Sequence, residues 1–150
     1  MSKFGHLQKL AVTGESTVDF VFYAIDGSPT LEVAPATKAN KPFFNAVLKK
    51  GKEAQRKLRA RRGQMPTQAQ LDEVRRQDAD LFVEYVVKGW RNVVDQEGEP
   101  VEFSAQECRE FLLAIPEDMF EELRDFCMET ANFRNVDDMP SDEQEELAGN

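Results

Sequence analysis

GWRNVVDQEGEPVEFS, residues 89–104, joins two amphipathic stretches and decides how they meet. Gly89 and Trp90 close the first stretch, and Asn92-Val93-Val94 leads the chain away from it. Gln96-Glu97-Gly98-Glu99 is a turn signal, and Pro100 fixes the exit. Val101 and Phe103 alternate with Glu102, so both can point inward. Ser104 with Glu107 forms the capping pattern that starts the next helix. No residue here suggests a reaction. The segment reads as a clamp that sets the angle between a long helix and a C-terminal helix pair, with Trp90, Val101 and Phe103 as its packing side chains.

Upstream, Thr67 and Gln70 match a second capping box. Leu71, Val74, Leu81, Phe82, Tyr85, Val86 and Trp90 follow helical spacing, which predicts a helix over 68–90. Before it, Asn40 can cap a helix over 41–62 whose first turn holds Pro42 and whose apolar side is Phe43, Phe44, Val47 and Leu48. TVDFVFYAI (17–25), the turn Asp26-Gly27-Ser28-Pro29 and TLEV (30–33) predict a β-hairpin over about 17–34. Downstream, Phe111, Leu112 and Ile115 mark a helix over 105–115, stopped by Pro116. Met119, Phe120, Leu123, Phe126 and Cys127 mark another over 117–131. The expected fold is mainly α with a small N-terminal β-hairpin (α+β), one globular domain over 1–133, and an acidic mobile tail over 134–150.

The composition, 41% hydrophobic and 31% charged, is that of a soluble globular protein. No apolar run approaches the ~20 residues that span a bilayer. The N-terminal MSKFGHLQKL lacks a sustained apolar segment, so no signal peptide is expected. Cys108 and Cys127 sit among apolar helical residues and read as small buried hydrophobes.

The net charge of −9 is unevenly spread. Residues 38–62 carry ten Lys/Arg against Glu53 alone, whereas 92–150 carry eighteen acids against three arginines. Such halves attract each other or recruit partners of opposite sign. Lys49, Lys50, Arg56 and Arg59 are the candidate electrostatic face. The run lacks interleaved aromatics for base stacking, which makes nucleic acid the weaker partner reading.

His6 is the single histidine, and no phosphate-binding glycine loop, dinucleotide fingerprint or zinc-helix motif is present. No catalytic residue, cofactor or metal site is assigned. Eleven Phe, one Trp and two Tyr form a large aromatic set, most of it core. Phe82, Tyr85, Trp90, Phe103, Phe111, Phe120 and Phe133 are the candidates from which a protein-binding groove could be drawn.

FVFYAIDGSPTLEV, GWRNVVDQEGEPVEFSAQECREFLLAIP and DMFEELRDFCMETANF together resemble the tail assembly chaperones of long-tailed bacteriophages and related prophages. The resemblance covers about 18–133. It implies a cytoplasmic, non-virion protein of the infected bacterium that coats the tape measure protein until tail tube subunits replace it. It also implies a longer form made by translational frameshift, while the two oppositely charged halves are what predict self-association. The competing expectations are a structural virion protein of the head–tail connector or tail, and a nucleic-acid-binding regulator using the basic helix.

Overall fold

The computed structural model describes residues 3–60, 63 and 65–134, with the backbone alone over 54–60. Three antiparallel strands, β1 (Val18–Val21), β2 (Thr30–Val33) and β3 (Val87–Arg91), form one sheet with β2 in the middle. Four helices, α1 (Lys41–Ala60), α2 (Gln68–Tyr85), α3 (Ala105–Ala114) and α4 (Glu117–Cys127), complete the fold, with 3₁₀ turns at Gly5–Leu10 and Thr130–Phe133. The mainly α, α+β class expected from the sequence is the class observed.

The largest departure is β3. The helix expected over 68–90 stops at Tyr85, and the next five-residue element is a strand. Val86-Val87 is β-branched and Gly89 is a poor helix former, so local preference already weakens here. Tertiary pairing does the rest. Glu32 faces Gly89 while Val33 faces Val87, leaving Lys88 as an extra residue in β3. This bulge brings Val87 and Trp90, three apart, toward the side of Leu31 and Val33. A spacing of three, read from sequence as helical, is here the signature of a bulged strand.

The strand read at 17–25 also ends early, at Val21. Phe22 N donates to the Pro29 carbonyl, Ser28 N to the Ile25 carbonyl, and Gly27 takes φ +85°, so 22–29 is a folded loop. The other helices close to their expected bounds, except that 117–131 is α-helical only to Cys127. Residues 61 and 62, expected at the end of α1, lie outside the described residues. Arg134, where the tail was expected to begin, donates from Nε to the Leu10 carbonyl at 3.2 Å; 135–150 lie outside the described residues.

Hydrogen bonds tie the layers together. Ala34 N donates to Val86 O and Ala36 N to Cys127 O, both at 2.8 Å, so the loop after β2 seals the ends of α2 and α4. Buried Asn40 extends this. Its Nδ2 donates to the Pro35 and Tyr85 carbonyls at 3.0 and 2.9 Å, and its Oδ1 accepts from Phe43 N. A Cβ on Gly14 would lie 2.8 Å from Asn40 Oδ1, so Gly14 leaves the room Asn40 needs. Arg75 Nη2 donates to the Leu113 and Ile115 carbonyls, satisfying orphan acceptors at the end of α3. Nothing in the helical pattern of α2 distinguishes Arg75 from its solvated neighbours.

Leu31, Val33, Val86, Leu112 and Leu123 are fully buried, as are Cys108 and Cys127. Burial pushes both thiols from an ordinary 9.0 up to about 12. The sign follows from linkage. A folded value above the unfolded one contributes stability in full below pH 9, and that contribution is lost as pH rises toward 12. At neutral pH an aromatic disulfide reagent should leave both thiols unmodified in the native protein and modify both at once in denaturant. Rapid native reaction would show that the interior opens readily.

Candidate interaction surface on the first helical pair

The connector over 89–104 is a clamp, as its sequence suggests, although Trp90 enters it from a strand. Asn92 takes φ +62° and Gly98 φ +83°. Asp95 Oδ1 accepts from Glu97 N and Glu99 N, and Val101 N donates to Val93 O. Trp90 Nε1 donates to the Val101 carbonyl at 2.9 Å while its ring meets Phe103 at 5.3 Å and Phe111 at 5.7 Å. Ser104 Oγ then accepts from Glu107 N and starts α3.

From this clamp a chain of ring contacts crosses the molecule. Phe111 meets Phe22, Phe22 meets Phe20, Phe20 meets Phe126, and Phe126 meets Phe133, all between 5.0 and 5.7 Å. A second chain joins Phe43, Phe82 and Phe120. The seven aromatic candidates therefore have clear places. Phe82, Phe120 and Phe133 are buried, and Tyr85, Trp90, Phe103 and Phe111 are half-buried against the same core. A partner could reach the first three only by opening the core. Hydrophobic pattern marks an aromatic position as apolar but does not say which neighbouring element covers it, so the sequence could not separate interior from surface aromatics.

The exposed apolar side chains lie elsewhere. On α1, Phe43 turns inward to Phe82, whereas Phe44 and Leu48, at i and i+4, are 38% and 51% exposed. On α2, Leu71 and Val74, at i and i+3, are 52% and 54% exposed, and burial begins only at Ala79. The two helices run antiparallel, since Phe43 meets Phe82 and Lys50 acts on Asp78. A cleft of about 250 Å³ between them is lined by Ala46, Lys49, Lys50 and Glu53 of α1 and by Asp80, Leu81, Glu84 and Tyr85 of α2.

Of the electrostatic candidates, Lys49 is exposed and Lys50 half-buried; the side chains of Arg56 and Arg59 lie outside the described residues. Asp78 sits where α1, α2 and α4 meet. Burial pushes its carboxyl above the usual carboxylate range, against the pull of Arg124, 3.6 Å away, and of Lys50. The ion pairs among the described residues join Glu73–Arg76, Asp19–Arg91, Asp80–Arg109 and Asp78–Arg124. None of them involves α1.

Among the described residues no His, Cys, Asp or Glu cluster is suited to a metal ion, and no helix is long and apolar enough to cross a membrane. The fold and surface define a small α+β protein whose exposed helical apolar positions collect on one antiparallel pair. The chain belongs to the YdaY prophage protein family, whose model matches residues 38–150. No curated protein and no solved structure matches it. The match begins at Lys38, after β1 and β2 and just before α1, so it includes the helical pair, the connector and both C-terminal helices.

Proposed function

We propose that this prophage protein is a tail assembly chaperone that binds the tape measure protein and keeps it soluble until tail tube subunits replace it. The observation that carries the reading is the apolar set Phe44, Leu48, Leu71 and Val74, left outside the core on α1 and α2. Two helical rows of this kind suit the apolar face of a partner helix, with anchors at i, i+3 and i+4. The resemblance of the hairpin, connector and closing helix to phage tail chaperones supports the same reading, as does membership of a prophage family. Release would not require chemistry, because contacts of modest area exchange readily when a stronger partner arrives.

Co-expression with the tape measure protein of the same genome tests this. The wild type should raise that protein's soluble fraction and co-purify with it. Leu48→Asp with Val74→Asp should abolish co-purification while leaving the melting temperature nearly unchanged, since substitutions at exposed positions cost within about ±0.5 kcal/mol. Unchanged co-purification would remove the surface from consideration. Stoichiometric presence in purified particles would overturn the chaperone reading in favour of a structural one.

A further inference from the structure

We propose that the acidic segment 135–150 docks along α1 of its own chain, on the face that carries Leu48, Lys49 and Lys52. Three observations lead there. First, α1 holds seven Lys/Arg and one Glu in its sequence, and the ion pairs among the described residues engage neither Lys49 nor Lys52. Lys49 and Lys52 are exposed, beside the exposed Leu48. Second, 135–150 holds six acids and no base, together with Met139 and Leu147. It supplies opposite charge and two apolar side chains for a surface that has both. Third, the end of α4 and the turn after it, four residues before the last described one, lie against the loop that leads into α1. Thr130 Oγ1 lies 3.3 Å from Thr37 Oγ1, and Ala36 N donates to Cys127 O.

The distances are permissive. Lys52 lies roughly 16 Å along the helix axis from Lys41. Sixteen extended residues can span roughly 50 Å. A covalent tether of this kind keeps the acidic segment at an effective concentration that a free acidic peptide would need millimolar amounts to match. Exposed pairs contribute about 0–1 kcal/mol each, so the contact is weak, reversible and screened by salt. It would shield the apolar row until something binds α1 more tightly. The contact itself stands without the chaperone reading; only competition with the tape measure protein rests on it.

A spin label on Leu147→Cys in the full chain tests the contact with no partner present, because Cys108 and Cys127 are buried and unreactive. At low salt the amide signals of Leu48, Lys49 and Lys52 should lose most of their intensity, while those of α3 keep theirs. The loss should disappear near 1 M salt, where the Debye length falls to about 3 Å. It should also disappear when the six acids are replaced together by Asn and Gln. Equal broadening in the neutralised chain, or none in the wild type, would overturn the proposal. Broadening that fades on dilution would overturn it too, by placing the segment on a second copy.

Discussion

A chain cut to residues 38–150 is expected to lose cooperative folding, even though this is the region that the family shares. The cut removes β1 and β2 and leaves β3 without its neighbour. Leu31 and Val33, both fully buried, and Phe22, 4% exposed, go with them. At about 1.5–3 kcal/mol per buried side chain, these three alone approach the whole ~5–15 kcal/mol that holds a domain together. The remaining cost is polar. Val86 O and Cys127 O lose the donors supplied by Ala34 and Ala36, and Asn40 loses the Pro35 carbonyl. Circular dichroism should show residual helix with no sharp thermal transition. A transition as steep and as high as that of the full chain would mean that the hairpin only decorates the fold.

Phe82→Ala should be the most damaging single substitution among the aromatic candidates. The ring is 2% exposed and stands between Phe43 of α1 and Phe120 of α4, at 6.3 and 5.3 Å. Truncating such a side chain costs about 3–5 kcal/mol, because the surrounding helices close the cavity only in part. At roughly 2–4 °C per kcal/mol for a chain of this size, the melting temperature should fall by roughly 6–20 °C. Denaturant unfolding should show a lower midpoint with the same slope. A stable variant that fails to bind a partner would instead place Phe82 on an interaction surface, against its burial. The contrast with Leu48→Asp and Val74→Asp separates the two kinds of apolar residue on these helices: the first change is expected to remove stability, and the others, on the proposed function, to remove binding.

This division bears on how the chain is used. The buried and half-buried aromatic rings join the sheet, the connector and the C-terminal helices into one interior. The long helices leave a short apolar row exposed on each of α1 and α2, beside the exposed Lys49 and Lys52. Such a surface suits reversible binding of an amphipathic helix. It also suits temporary cover by a segment of opposite charge.

Much of the architecture was legible in the residues. The capping pairs Thr67–Gln70 and Ser104–Glu107 mark helix starts through bonds made within one turn; the first closes in both directions, the second only through Ser104 Oγ accepting from Glu107 N. Asn40 caps α1, Pro116 separates α3 from α4, and the turn around Gly98 closes the connector, all for reasons local to a few residues. The fold class follows from these signals and from hydrophobic period. Period alone could not decide Val87–Arg91, because a bulge at Lys88 gives a strand the spacing of a helix, and only the presence of β2 alongside selects the strand. Nor could it tell Phe82, in the core, from Leu71 and Val74, outside it. All three lie on one helix in apolar positions, and their difference arises from where α3 and α4 end against α2. Asn40 and Arg75 likewise take their second roles from carbonyls more than thirty residues distant in the chain. Sequence determines what each segment prefers within its own few turns; burial, strand pairing and the satisfaction of distant carbonyls belong to the tertiary structure, because each depends on a surface supplied by another segment.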